Sequence, residues 1–346
     1  MNKICRYGSH RVIAPVGALP QSSDKLDNTM ICQSNEILID VKTLNIDSAS
    51  FTQIKAACGG NEHDMMTMIL SIVEERGKMQ NPVTGSGGML LGNVKAIGSD
   101  LALDLKVGDE IATLVSLSLT PLKIHKILAI HPEKDQVDIV GEAILFETGI
   151  YAKIPKDLPS DIVLSALDVA GAPAQVALLV KPGNDVLIIG AGGKSGILCA
   201  YQARKSCGPT GHVYGLIYDI KEMDDLKKLG VCDEIIIADA RKPMMVYELV
   251  MQASKGHLMD VTINVVNVPS TEMATILPTK DTGIVYFFGM ATSFSKAALG
   301  AEGIKSEAKM MIGNGYTKGH DVLTLNLLRE SKTLYSIFSR RYGSKE

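Results

Sequence analysis

The sequence predicts an α/β fold in two parts, a β-rich N-terminal half and a doubly wound parallel sheet in the C-terminal half. Three observations carry this. The chain has 346 residues, too long for one ordinary domain and comfortable for two. Short strand-like runs separated by Gly, Asp and Pro fill the first half, as in a barrel or sandwich. The second half alternates apolar runs with helical patterns, the rhythm of parallel strands joined by crossover helices.

In the first half, residues 36–41 place an apolar middle between polar ends, and 89–97 is strand-like but broken by Gly92. Residues 107–112 are a turn entering a short strand, and 136–140 alternate polar and apolar. One helix interrupts them: Met65, Met68, Ile69, Ile72 and Val73 recur at helical spacing, and Gly77 suits its C-cap. In the second half, 186–189 is a continuous apolar run, as a buried parallel strand requires. A helix over 194–205, a strand over 213–218 and a helix over 221–229 closed by Gly230 follow. Strands over 234–237, 260–265 and 283–288 continue the series. The boundary is expected near 155–165. The first domain takes 1–160, the second takes 161–324, and 325–346 is expected to return to the first.

Composition narrows the classes of function. Hydrophobic residues are 46% and charged residues 21%, ordinary for a packed globular protein. The net charge of -3 and the lack of a basic tract argue against nucleic acid and anionic membrane surfaces. Six cysteines form no C-x-x-C pair, so reduced thiols in a cytoplasmic protein are expected. The N-terminus lacks the apolar core of a signal peptide. The longest apolar stretch, 162–180, contains Asp168, Gly171 and Pro173 and reads as a buried helical connection, not a membrane span.

The strongest motif is Gly190-Ala191-Gly192-Gly193-Lys194-Ser195-Gly196, which follows a strand and opens a helix. Gly190 permits the sharp turn, Gly192 or Gly193 removes a Cβ that would block a pyrophosphate, and Gly196 lets helix and sheet pack closely. The amides of the helix start, with those of Lys194 and Ser195, then face the phosphate charge. Asp219 ends the next strand, where a carboxylate accepts hydrogen bonds from the adenosine ribose and repels a 2′-phosphate. The pair predicts a Rossmann domain binding NAD in preference to NADP; Asp219 is alternatively a helix N-cap. A P-loop is excluded, because its first glycine would fall on Ile188.

Residues 153–159, 170–172 and 181–187, then 219–221 and 227–231, resemble the interdomain passage and second Rossmann unit of the medium-chain dehydrogenase/reductase superfamily. Residues 92–98 and 107–110 resemble its GroES-like domain. Where zinc-dependent members carry metal ligands, this chain has Asp47, Gly87-Gly88-Met89 and a residue near Ser165. It also lacks the four-cysteine structural loop. The resemblance therefore implies hydride transfer with NAD and without metal. Residues 5–13, 43–54 and 81–90 are similar to a narrower, zinc-free family. That similarity implies oxidative deamination of a diamino acid, 3,5-diaminohexanoate, to 5-amino-3-oxohexanoate, NADH and ammonium in anaerobic lysine fermentation.

Such chemistry needs a base for the 3-ammonium, activated water and partners for a carboxylate and a second ammonium. Asp47 is the first candidate base, with a turn-capping aspartate as the alternative. Lys78 is a candidate carboxylate partner or base, or else an ordinary exposed lysine. Glu302 and Glu307 follow the Rossmann strands as ammonium partners, or else belong to a solvated helix face. Ser48, Ser50 and Thr84 are candidate substrate hydroxyls. His10 and His320 read as structural, and His125 and His131 lack a third metal ligand. Two other functions compete: a zinc-free quinone or enoyl reductase, and a non-catalytic dinucleotide-binding protein. The apolar strand 283–288, or its successor, is expected at an exposed sheet edge, which predicts a homodimer or a dimer of dimers.

Overall fold

The computed structural model describes residues 4–313 and 315–343. It contains two compact units, one ending at Asp168 and the other running from Val169 to Gly343.

The first unit opens with a short antiparallel pair, β1 (Val12–Ala14) and β2 (Lys25–Leu26). There follow β3 (Glu36–Ile46), α1 (Ser48–Ala57), α2 (Glu62–Arg76), β4 (Gly88–Ile97), β5 (Glu110–Thr113), β6 (Leu122–His131), β7 (Gln136–Phe146), β8 (Tyr151–Lys153) and α3 (Ser160–Leu167). Six of the strands form one antiparallel sheet in the order β6-β7-β3-β4-β5-β8. Its inner face and the two helices share a core built on Ile39, Leu44, Phe51, Ile54, Ile69 and Leu90. Gly92 does not break β4 as the sequence suggests. A Cβ there would lie 2.4 Å from the Asp40 carbonyl oxygen, so glycine lets β4 run close beside β3.

Two elements of this unit escape the sequence reading. α1 has few apolar residues, and Phe51 and Ile54 alone give its periodicity little weight. β6 carries lysines on its outer face, which hides its alternation. α2 is found where expected, with Asn61 capping its start and Gly77 closing it at φ 69°.

The second unit is α4 (Gly171–Leu179), β9 (Asp185–Ile189), α5 (Lys194–Cys207), β10 (His212–Ile217), α6 (Met223–Leu229), β11 (Glu234–Ile237), α7 (Pro243–Ala253), β12 (Met259–Asn264), α8 (Glu272–Ile276), β13 (Thr279–Phe287), α9 (Phe294–Gly303), β14 (Lys309–Ile312), α10 (His320–Glu330) and α11 (Lys332–Tyr342). Its six strands are all parallel, in the order β11-β10-β9-β12-β13-β14. The central β9 is fully buried from Val186 to Ile189, as its unbroken apolar run requires. Chain order reverses between β9 and β12, the switch point beside which such sheets bind ligands.

Two expectations about layout are corrected, and a third is narrowed. The apolar stretch 162–180 is the helical connection expected, made of α3 and α4, but the units divide inside it, after Asp168 and not within 155–165. Residues 325–343 do not return to the first unit, and the rest of that segment, 344–346, lies outside the described residues. Thr324 of α10 donates to the Ala170 carbonyl, and Arg340 and Arg341 of α11 pair with Asp225, so both helices belong to the second unit. Of the two positions allowed for the sheet edge, the strand at 283–288 or its successor, the edge falls on the successor β14, which lies outside β13. Among the described residues no single helix is long and apolar enough to cross a membrane.

Candidate active site

Each unit carries one group of functional side chains. In the second unit the glycine loop joins β9 to α5. Gly190 takes φ 89°, where a side chain is strained, and its amide and that of Ala191 both donate to the Leu216 carbonyl. A Cβ on Gly196 would lie 1.9 Å from the Gly190 oxygen, so glycine alone lets α5 start there. A Cβ on Gly193 would meet nothing nearer than 3.6 Å. Gly193 is thus the open glycine that a pyrophosphate can approach, while a Cβ on Gly192 would lie 2.5 Å from Glu222. Gly193 is also the N-cap of α5 and supplies no side chain, and the first backbone bond into the helix runs from Ile197 to Gly193. The amides of Ser195 and Gly196 belong to the open first turn, where a helix favours an anion. The loop therefore fits a dinucleotide.

The side chains around the loop are partly unexpected. Asp219 is exposed beyond β10 and accepts from the Lys221 amide at 3.0 Å through one oxygen, leaving Oδ2 available to a ribose. It is both an N-cap and a candidate cofactor contact. The Lys194 ammonium lies 5.7 Å from the centre of the Tyr342 ring. Arg341 donates to the Gly192 carbonyl at 2.7 Å and to Asp225 through Nε and Nη2 at 2.9 and 2.5 Å, tying α11 to the loop. Burial raises the pKa of Glu222, which packs on Gly192, although Arg341 opposes the shift.

In the first unit Asp47 ends β3 and caps α1. Its Oδ1 accepts from the Ala49 amide at 3.0 Å and from Ser86 Oγ at 3.1 Å. Ser86 reaches it because two glycines follow. Gly88 takes φ 104°, a Cβ on it would lie 2.0 Å from the Asn45 oxygen, and the Asp47 amide donates to the Gly87 carbonyl. Ser50 Oγ lies 2.6 Å from both Thr84 Oγ1 and Ser86 Oγ, so three hydroxyls gather behind the carboxylate. Asn81 fixes this loop by accepting from the Val83 and Thr84 amides and donating to Gln53. Burial holds the Asp47 carboxyl above the usual aspartate range, and the Asp168 carboxylate at the end of α3 pushes it further up. The bonds from Ala49 and Ser86 pull the other way. Among the described residues no group of three or more His, Cys, Asp or Glu side chains is placed to hold a metal ion.

A family model of the L-erythro-3,5-diaminohexanoate dehydrogenase N-terminal domain matches residues 10–155. The L-erythro-3,5-diaminohexanoate dehydrogenase of Acetoanaerobium sticklandii is 57% identical over 342 residues, 98% of this chain and 99% of that protein. The enzyme of the same name from Fusobacterium nucleatum subsp. nucleatum is 59% identical over 344 residues, 99% of this chain and 100% of that protein. The chain belongs to the L-erythro-3,5-diaminohexanoate dehydrogenase family.

Solved structures add the wider fold. A Thermotoga maritima alcohol dehydrogenase matches with TM-score 0.56 and 14% identity, covering 91% of this chain and 86% of that one. The CurK enoyl reductase matches with TM-score 0.54 and 16% identity, covering 91% and 81%. A mycobacterial structure complexed with NADPH matches with TM-score 0.53 and 15% identity, covering 91% and 84%. These likenesses show that the chain shares its fold with those proteins.

In this diaminohexanoate dehydrogenase relative, the other sequence candidates are engaged by their own partners or exposed within their own unit. Lys78 is fully buried, not exposed. Its ammonium donates to the Pro20 and Gln21 carbonyls at 2.6 and 3.4 Å and lies 3.3 Å from Ser23 Oγ. Burial lowers its pKa to about 8, and its partners make it a pin for the 20–23 turn. Glu302 and Glu307 are exposed on the second unit. Ser48 donates to Asp135 at 2.6 Å and is committed there. His10 and Arg11 both bond the buried Glu36, at 2.9 and 2.6–2.7 Å, closing a charged cluster under the N-terminal segment. His125 pairs with Glu142 and His131 with Asp138. His320 is buried at the start of α10, which lowers its pKa. The sequence reading missed Ser86, Asp168 and Arg341. Only the Ser86-Gly87-Gly88 run offered a signal for any of them, since two glycines mark a close backbone approach.

Proposed function

We propose that this chain oxidatively deaminates L-erythro-3,5-diaminohexanoate, the (3S,5S) isomer, at C3 with NAD, giving 5-amino-3-oxohexanoate, NADH and ammonium. The near-full-length identity to two enzymes of that name supports the substrate. The observation that carries the mechanism is Asp47. Its carboxylate is fixed by the Ala49 amide and the Ser86 hydroxyl on Oδ1, with the Ser50 amide also bonding it, which holds the group ready for an incoming cation.

Bound NAD supplies the hydride acceptor. An alkylammonium has no lone pair to stabilise the cation that forms as hydride leaves C3, so it must first lose a proton. Asp47 attracts the ammonium, Asp168 adds negative charge beside it, and the raised basicity of Asp47 suits it to take that proton. Hydride loss gives an iminium carbon, water adds, and the amine departs as ammonium. Asp219 supports NAD over NADP, because a carboxylate at the ribose repels a 2′-phosphate. The reading places the reaction in the cytoplasm, in anaerobic lysine fermentation. The chain is further proposed to act as a homodimer or a dimer of dimers.

The test is NADH formation measured with 3,5-diaminohexanoate, simple alcohols and, in reverse, quinones. Turnover is expected with the diamino acid alone. Quinone reduction without diamino-acid oxidation would move the chain to the reductase reading, and inertness with every substrate to the non-catalytic one.

A further inference from the structure

We propose that Ser86, Ser50 and Thr84 form a proton relay that carries the proton taken up by Asp47 out to solvent at Thr84. The proposal rests on Asp47 as the base and adds what happens to the proton afterwards. Oxidation of an alkylammonium by NAD with water yields ketone, ammonium, NADH and one further proton. That proton has to leave Asp47 before the next turnover. While substrate, iminium or product sits against the carboxylate, that side is closed to water, and the exit must lie behind it.

The geometry behind it is a continuous row of hydroxyls. Ser86 Oγ is 3.1 Å from Asp47 Oδ1, Ser50 Oγ is 2.6 Å from Ser86 Oγ, and Thr84 Oγ1 is 2.6 Å from Ser50 Oγ. Ser50 is fully buried and Ser86 nearly so, whereas Thr84 is partly exposed. The row therefore begins at the carboxylate, crosses the interior and ends at water. A hydroxyl both donates and accepts, so the row can point either way. With Asp47 ionised, Thr84 donates to Ser50, Ser50 to Ser86, and Ser86 to Oδ1. With Asp47 protonated, a half-turn of the carboxyl group presents its proton to Ser86 Oγ. Ser86 then passes its own proton to Ser50, Ser50 to Thr84, and Thr84 to water. Four O–H bonds break, on the Asp47 carboxyl and the three hydroxyls, and four form, on the three hydroxyls and water; one proton leaves, and no oxidant or reductant is needed.

The loop that holds the row is built for rigidity. Asn81 accepts from the amides of Val83 and Thr84 and donates to the Ser50 carbonyl and to Gln53, locking loop to helix. Hydroxyls held in such a frame polarise one another and need little rearrangement to pass a proton.

The experiment uses the full chain and compares Thr84→Val, Thr84→Ser, Ser50→Ala and Asp47→Asn. It reads kcat, KM for NAD and the solvent deuterium isotope effect on kcat. Thr84→Val keeps the shape and removes the outer hydroxyl; kcat is expected to fall about tenfold, less than the ~10²-fold or more a base itself contributes. The isotope effect should rise as proton exit limits turnover, KM for NAD should hold, and Thr84→Ser should restore all three. Ser50→Ala removes the short middle link and leaves only the 3.2 Å contact between Thr84 Oγ1 and Ser86 Oγ, so it should lower kcat and raise the isotope effect as Thr84→Val does, but to a smaller extent. If Asp47→Asn is crippled while Thr84→Val and Ser50→Ala keep the parental kcat and isotope effect, the relay is wrong and the base stands. If Asp47→Asn itself turns over normally, both fall.

Discussion

Replacing Asp47 by Asn separates shape from charge at the carboxylate proposed as the base. Asn keeps the carbonyl oxygen that caps α1 through the Ala49 amide and accepts from Ser86, and Asn and Asp are near equals as N-caps. The lost attraction between a carboxylate and the helix start is worth up to ~1 kcal/mol. Against it, the variant no longer buries a charge that Asp168 repels. The two effects oppose, so the melting temperature should move little. Catalysis should not be spared. A positioned base contributes at least ~10²-fold, or about 2.7 kcal/mol of barrier. kcat/KM for the diamino acid should drop by that much, while NAD affinity holds because the glycine loop and Asp219 belong to the other unit. The parental enzyme should also show an acid limb in kcat/KM. The active form of Asp47 is the carboxylate, so activity rises with pH through its pKa, and burial with Asp168 places that midpoint above the ordinary aspartate range. Steady-state kinetics across pH with a parallel thermal melt reads every term. Near-parental kcat/KM in a folded Asp47→Asn would refute the assignment.

Four further outcomes are expected. Asp168→Asn removes the like charge beside Asp47, so the acid limb should shift to lower pH; an unmoved limb would show that Asp168 does not act on the base. Asp219→Ser should weaken NAD use and relax discrimination against NADP by roughly tenfold or more, since a hydrogen bond to a charged group contributes ~1.5–3 kcal/mol; unchanged discrimination in paired NAD and NADP assays would leave Asp219 only its cap. Exhaustive chelation should leave turnover intact, and zinc lost in proportion to activity would refute metal-free chemistry. β14 ends the parallel sheet with Met310 39% and Ile312 68% exposed, an edge suited to pairing with a second copy; light scattering of Ile312→Asp at micromolar concentration should shift toward monomer, and a parental chain already monomeric would sink the idea.

How much of this was legible in the sequence depends on how local each signal is. The parallel sheet was readable because a strand buried on both faces must be apolar throughout, as in 186–189. The glycine loop was readable because its glycines answer to backbone strain and close approach. The structure sharpened the roles: Gly193 is the open position and Gly192 lies under Glu222. α1 was not readable, since its stability comes from Phe51 and Ile54 packing into a core formed by distant strands. Lys78 was read as exposed because lysine usually is; only the turn folded over it supplies the carbonyls that let it be buried.

The sequence by itself determined the fold class and the dinucleotide loop: strand periodicity, the glycine spacing and the acidic residue after the second Rossmann strand are all properties of short stretches of chain. Only the tertiary structure decided what surrounds Asp47 and where the C-terminal helix goes. Ser86 and Asp168 lie far along the chain from Asp47, and Arg341 equally far from Gly192. No local pattern encodes such pairings, because each is set by the packing of whole elements that brings the groups within a few ångströms of one another.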